Sequence, residues 1–280
     1  MKYLYGNSVF ITGGSSGIGL ATAELFASKG YTVFAASRSA TGNPRSFPGG
    51  GAILPVSMDV RDTSSVDSVI AETLSKADIV IVIHCAGMGI ACPAEDFPFD
   101  SVNGLMDTNF YGVLRVNNRI LPHFRSRGTG LCIVVGSLAG IFPIPFQSHY
   151  SASKAALELY AAALRMELRS FGVKVALVMP GDTKTGFTNA RKYEIDESSP
   201  YFASCIKSVG KMEKDESAGN SPSGAARVIL SLSKKRNPPA RTTVGFSYKF
   251  LVLLRRLLPN KLVDFILHRI YLGKKRDERR

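Results

Sequence analysis

The chain predicts a single α/β domain built on a doubly wound parallel sheet, and three features carry that prediction. Short apolar runs rich in β-branched residues recur between residues 8 and 245 and alternate with stretches of helical periodicity. The first run ends in a glycine-rich turn that opens a helix. Residues 79–84 (Ile-Val-Ile-Val-Ile-His) and 131–135 are apolar at nearly every position, as strands buried on both faces require. With 280 residues and 45% hydrophobic content one large core is within reach, and nothing forces a second domain.

Ser8-Val9-Phe10-Ile11 reads as the first strand, Thr12-Gly13-Gly14-Ser15-Ser16-Gly17-Ile18-Gly19 as its exit turn, and residues 20–27 as the following helix. Glycines there let backbone amides approach a pyrophosphate, and the helix N-terminus presents unpaired N–H groups and partial positive charge to it. The position of the turn between a strand and a helix predicts dinucleotide binding, against the plain alternative of a tight glycine turn with no ligand. Gly30 closes the helix, and residues 31–36 form the second strand, which ends at Ser37-Arg38-Ser39. An acid at that strand end would hold a ribose 2′-hydroxyl, whereas a base accommodates a 2′-phosphate. Arg38 stands there with no acid before Asp59, so NADP(H) is expected over NAD(H), against the plain alternative of a solvated arginine.

Residues 41–51 are a Gly/Pro/Ser-rich connection, and residues 52–58 the third strand, irregular at Pro55. Asp59-Val60 ends it, where Asp59 either meets the adenine amine or merely leads into the cap of the next helix, residues 66–75, through Asp62-Thr63-Ser64. After the strand at 79–84, the small residues Cys85-Ala86-Gly87 let the backbone come near a ligand. Residues 88–101 read as a loop, and the helix beyond it carries Asn109 among apolar neighbours, a position where an Asn ordinarily turns to solvent. Ser137 leaves the carboxyl end of the strand at 131–135, where open α/β sheets bind ligands. The apolar, twice proline-broken loop at 141–147 supplies a hydrophobic wall.

Tyr150 and Lys154 follow, thirteen and seventeen residues after Ser137, at the head of a run of strong helix formers. Their i, i+4 spacing puts both on one helix face. A phenol is a poor acid or base at neutral pH, and an ammonium nearby favours its phenolate, so Lys154 is expected to tune Tyr150 toward proton transfer. Residues 173–179 are the sixth strand and Pro180-Gly181-Asp182-Thr183-Lys184-Thr185 its exit. Residues 188–222, polar and mixed in charge, read as a partly helical, mobile substrate lid, followed by a helix at 223–233 and a short edge strand at 241–245.

Thr12-Gly13-x-x-x-Gly17-x-Gly19, Asp59, Cys85-Ala86-Gly87, Asn109, Ser137, Tyr150-x-x-x-Lys154 and Pro180-Gly181-x-x-x-Thr185, in this order and spacing, resemble the short-chain dehydrogenase/reductase family over residues 7–245. The resemblance implies a Rossmann-like layer of about seven parallel strands and a catalytic set of Asn109, Ser137, Tyr150 and Lys154. Tyr150 would exchange the proton with the substrate oxygen, and Ser137 would hold that oxygen. Lys154 would lower the tyrosine pKa and bind the nicotinamide ribose, and Asn109 would hold a water on the proton path. Cofactor contacts would come from Gly13, Ser15, Ser16, Gly17, Ile18, Gly19, Arg38, Asp59, Val60, Ala86, Gly87, Tyr150, Lys154, Pro180, Gly181, Thr183 and Thr185, the last on the carboxamide. One departure is His84-Cys85 where the family usually has two asparagines, which removes an amide contact. Members that bind NADP(H) without catalysis typically lose the Tyr or the Lys, and this chain keeps both. A homo-oligomer is the family expectation.

The net charge of +13 raises the question of nucleic acid, but its distribution argues against that partner. From Lys249 onward ten Lys and Arg stand against three acids, a surplus of +7 in the tail, with no aromatic-interleaved basic strand. Four cysteines with no Cys-x-x-Cys spacing point to a reducing compartment and no metal site. No basic n-region leads a long apolar stretch near Met1, so a cytoplasmic protein is expected. The catalytic domain spans 1–245, and residues 246–280 form a basic amphipathic helical extension broken at Pro259. Its longest uncharged apolar run, residues 250–254, is far short of the ~20 residues that span a bilayer. The extension therefore either packs over the substrate pocket or a subunit interface, or lies on an anionic membrane surface. Either way the substrate is expected to be hydrophobic. The wording around Ser137, Tyr150 and Thr185 resembles hydroxysteroid dehydrogenases first and acyl-dihydroxyacetone-phosphate reductases second.

Overall fold

The apolar runs assemble into the central sheet of a computed structural model that describes residues 3–40 and 42–273; the charged end expected at 274–280 lies outside them. The elements in chain order are β1 (Ser8–Thr12), α1 (Gly17–Ala27), β2 (Thr32–Ser37), β3 (Arg45–Ser46), β4 (Ala52–Ser57), α2 (Thr63–Lys76), β5 (Ile81–His84) and β6 (Ile90–Ala91). Then come α3 (Phe99–Met106), a π-helical turn (Asp107–Tyr111), α4 (Gly112–Arg127), β7 (Gly130–Val135), α5 (Ser148–Glu167) and β8 (Val173–Met179). The chain continues through β9 (Lys192–Tyr193), α6 (Phe202–Ser217), α7 (Pro222–Ser233), β10 (Arg241–Thr243), α8 (Phe246–Leu257) and α9 (Asn260–Tyr271).

The sheet order is β10-β8-β7-β5-β1-β2-β4-β3, seven strands parallel and the two-residue β3 antiparallel at the edge. Because side chains alternate across a strand, each strand feeds two cores. Phe10, Val82, Val134 and Leu177 point to the side covered by α2, α4 and α5. Ile11, Ile83, Ile133 and Val178 point to the side covered by α1 and α7. The chain steps outward from β1 in both directions, through β2 and β4 one way and β5, β7 and β8 the other. That reversal places a crevice beyond the carboxyl ends of β1 and β5.

Four local readings change. The first helix begins at Gly17 rather than residue 20, entered through Gly17 at φ +52° with Gly19 inside its first turn. The connection at 41–51 contains β3, and the loop at 88–101 contains β6, which pairs in parallel with β9 from the segment read as a lid. The cap read through Asp62-Thr63-Ser64 is present, for Asp62 caps α2 and accepts from Ser64 N at 2.9 Å. The helix around Asn109 is interrupted by a π turn, and Asn109 is fully buried rather than turned to solvent.

Candidate active site

One cavity of about 1130 Å³ runs along the carboxyl ends of the strands. Its floor is the glycine turn. Gly13 has φ +68°, and a Cβ there would stand 2.7 Å from Ala86 N; at Gly19 a Cβ would stand 2.0 Å from Gly13 O. Only glycine lets β1, α1 and the turn after β5 approach this closely. Thr12 Oγ1 joins the same turn by accepting from Ala86 N at 3.3 Å. Ser16, at the N-cap of α1, makes no side-chain cap, whereas Asp62 caps α2 and Ser221 caps α7. The first amides of α1 are therefore left for an anion, as a dinucleotide pyrophosphate would supply. The site fits that group.

At the end of β2, Arg38 lines the cavity together with Arg61. Asp59 is paired to Arg61 at 2.6 Å, and that pairing holds its carboxyl below the ordinary range. The Asp59 carboxylate is paired with Arg61, just before the Asp62 cap of α2. Val60 is buried against Gly112, and its carbonyl accepts from Arg115 Nη1 at 3.3 Å. The adenosine end of the cleft thus presents two guanidinium groups and a neutralised acid. Arg61 escaped the sequence reading, although a base two residues after the acid ending β4 was a usable signal.

Gly13, Ser16, Gly17, Ile18, Gly19, Ala86, Gly87, Ser137, Tyr150, Lys154, Pro180, Gly181, Thr183 and Thr185 all line the cavity. Ser15, Asp59, Val60 and Asn109 do not. Thr185 sits over Gly17, where an added Cβ would come 3.4 Å from the Thr185 Cβ. Ser137 leaves β7 with its hydroxyl accepting from Ala139 N at 3.1 Å and bonding to the Tyr150 phenol. Tyr150 packs on Phe187, ring centroids 5.7 Å apart, so an apolar wall stands beside the reacting oxygen.

Burial pushes the Tyr150 phenol up to about 12, opposed by the Ser137 hydrogen bond. Burial also brings Lys154 down to about 8. The Lys154 ammonium lies 5.7 Å from the Tyr150 ring centroid and donates to Val135 O at 3.3 Å. Helical spacing does put the two residues on one face, and burial is the largest influence on both, raising the phenol and lowering the ammonium. Asn109 is held in place by its side chain. Its Nδ2 donates to Met88 O at 3.0 Å and to Ser153 Oγ at 3.1 Å, while its Oδ1 accepts from Met88 N at 2.8 Å. With both amide hydrogens engaged, the side chain clamps the loop after β5 against α5. Of the departure in the motif, His84 is a buried packing residue, whereas Cys85 lines the cavity. His84 bonds Asn117 Oδ1 at 2.9 Å and is pushed down to about 4 by burial, and the Cys85 thiol is pushed up to about 12.

The far wall comes from distant sequence. Leu251, Leu254 and Leu258 of the first tail helix region and Val263, Ile266 and Ile270 of α9 face the cavity. Tyr248 anchors that wall, donating to Asp182 Oδ2 at 2.7 Å and accepting from Asp182 N at 3.1 Å. Its ring covers Gly181, where a Cβ would stand 2.5 Å from ring carbon. Burial raises the Asp182 carboxyl, with the Tyr248 bond opposing. The segment read as a lid is pinned by Arg191, whose buried side chain pairs with Glu216 at 2.7 Å and Glu213 at 3.3 Å. Thr188 Oγ1 donates to Glu216 at 2.6 Å.

Residues 7–196 match the family described as short chain dehydrogenase. A 3-ketodihydrosphingosine reductase of Bacteroides thetaiotaomicron is 33% identical over 267 residues, 94% of this chain and 97% of the relative. Retinol dehydrogenase 8 of Bos taurus is 27% identical over 270 residues, 90% of this chain and 86% of the relative. Among solved structures, a short-chain dehydrogenase from Streptomyces avermitilis superposes with a TM-score of 0.78 at 26% identity, covering 95% of this chain and 98% of that one.

Proposed function

Since the chain belongs to the short-chain dehydrogenase/reductase family and is an oxidoreductase of that family, we propose that it is an NADP(H)-dependent reductase of a ketone on an elongated, lipid-like substrate. The observation that carries the substrate class is the cavity wall built by the tail: leucine, isoleucine and valine from two helices face the catalytic tyrosine across one continuous space. A soluble small ketone needs no such wall. Two relatives act, by name, on 3-ketodihydrosphingosine and on retinol, both apolar molecules, which supports the same class.

The nicotinamide ring, when bound, supplies the hydride to the carbonyl carbon. The protein's own groups manage the proton and the oxygen. At neutral pH a phenol pushed up to about 12 is protonated, so Tyr150 donates its hydrogen to the carbonyl oxygen as negative charge develops there. Ser137 bonds the same oxygen and fixes its position. Lys154, brought down to about 8, is close enough to neutral pH to give and regain a proton at its ammonium. Phe187 and the loop at 141–147 keep water from the reacting carbon. For the cofactor, Arg38 and Arg61 together favour a 2′-phosphate over a bare ribose diol.

A hydroxysteroid is the second reading, because the same apolar space suits a rigid alicyclic ketone. A panel of long-chain 3-ketones, retinoids and ketosteroids followed by NADPH absorbance separates the two. Tyr150→Phe abolishes turnover of whichever ketone is reduced while leaving NADPH binding in place. Near wild-type kcat in that variant overturns the mechanism, and activity confined to steroids overturns the elongated substrate.

A further inference from the structure

The tail helices carry two apolar faces, and the cavity uses one of them. On α8 the residues facing the cavity, Leu251 and Leu254, continue through Leu258 just beyond the helix end. A second stripe, Phe246, Phe250, Leu253 and Leu257, recurs at spacings of four, three and four residues and points outward, with Phe246 89% and Leu257 71% exposed. At ~100° per residue these four positions fall within roughly 60° of one another, a single ridge along the helix. On α9, Leu262 and Phe265 are exposed as well. Soluble chains scatter their exposed apolar side chains; a ridge of large ones confined to two adjacent helices marks an interaction surface.

Charge decides what that surface meets. Exposed Lys249 and Arg256 flank the α8 ridge, Lys261 opens α9, and the Arg269 guanidinium rests 5.5 Å from the Phe265 ring centroid. Helix α8 contains no acid, and α9 contains one, Asp264. The sequence past Gly273 adds five Lys and Arg against two acids. An apolar ridge bordered by cations matches the boundary between acyl chains and anionic headgroups. A second copy of the same positively charged surface would instead meet like charge. Among the described residues no helix is long and apolar enough to cross a membrane.

We propose that the outer ridge of α8 and α9 docks the protein on an anionic lipid surface, so that the helices walling the catalytic cavity lie against the source of its substrate. The docking half stands on exposure and charge, and the delivery half rests on the lipid-ketone reading above.

The test is flotation with vesicles of phosphatidylcholine containing about a third phosphatidylglycerol, compared with phosphatidylcholine alone. The protein should float at least tenfold more with the anionic vesicles, and the doubly substituted Phe246→Glu/Leu257→Glu protein should lose that binding at least tenfold. Neither residue lines the cavity, so turnover of a water-soluble ketone should stay within about twofold and report that the variant is folded. Turnover of a long-chain ketone embedded in the anionic vesicles should fall at least tenfold. Equal flotation of variant and parent, or a parent that never floats, overturns docking. A parent that stays unfloated but dissociates to a smaller species on substitution assigns the ridge to a subunit interface and overturns it equally. Flotation without turnover of any ketone leaves docking standing and sinks the reductase reading instead.

Discussion

Lys154→Met should make the dinucleotide-free protein more stable while abolishing its turnover. Lys154 is buried, and burial lowers its ammonium from 10.5 to about 8. A lowered lysine pKa means that the folded state disfavours the charge relative to the unfolded chain. The penalty is complete below pH about 8, shrinks as pH rises from about 8 to 10.5, and vanishes above that. At ~1.4 kcal/mol per tenfold change, the full penalty at pH 7 is about 3 kcal/mol. Methionine keeps the volume and removes the charge, but it forfeits the bond to Val135 O, which returns about 1 kcal/mol. A net gain of about 2 kcal/mol, or roughly 4 °C in Tm for a chain of this size, is expected at pH 7. By pH 10 most of the penalty is gone, and the gain should vanish. Thermal unfolding of both proteins at the two pH values measures this directly. A variant less stable than the parent at pH 7, or a gain that persists unchanged at pH 10, refutes the claim that burial dominates this lysine.

Other expectations follow from the same geometry. Arg38→Asp should weaken NADPH binding about 10–100-fold, as loss of a charge-assisted bond to phosphate predicts, and leave NADH within a fewfold by fluorescence titration; equal losses for both would refute the 2′-phosphate assignment. Tyr248→Phe removes both bonds to Asp182 and should cost about 1–2 kcal/mol in urea unfolding, with a rise in KM for the apolar ketone exceeding the fall in kcat. Arg191→Met strands Glu216 beside the cavity without its partner and should cost about 3 kcal/mol, much of which Arg191→Met/Glu216→Gln should recover. A double variant no more stable than the single would show that the pair acts through shape and not charge.

The parts of this molecule legible in the sequence are those whose causes are local. Strand, glycine turn and helix follow one another within twenty residues, from Ser8 to Ala27, and the unbroken apolar runs at 79–84 and 131–135 mark strands buried on both faces of the sheet. Spacing alone brings Tyr150 and Lys154 to one helix face. What stayed hidden depends on partners far along the chain or on a local irregularity with no compositional mark. Tyr248 meets Asp182 across 66 residues, β6 finds β9 across about a hundred, and Arg191 closes on Glu216 across 25. The π turn at Asp107–Tyr111 inserts one extra residue into an otherwise ordinary helical pattern and so carries Asn109 inward to hold the Met88 loop.

Spacing and environment answer different questions, and Tyr150 and Lys154 show where they part. An i, i+4 pair predicts that two side chains meet, and from that alone an ammonium should ease the deprotonation of a phenol. Whether it does depends on what surrounds both groups. Here both groups are buried, with Phe187 packed against the tyrosine and the tail helices lining another part of the same cavity. Desolvation raises the phenol to about 12 and lowers the ammonium to about 8, so each moves toward its neutral form. A polar substitution in the wall, such as Leu254→Ser, should admit water, bring Lys154 back toward 10.5 and shift the alkaline limb of the kcat pH profile upward. An unmoved limb, with the apolar ketone still bound, would show that the wall selects substrate without setting the pKa values beneath it.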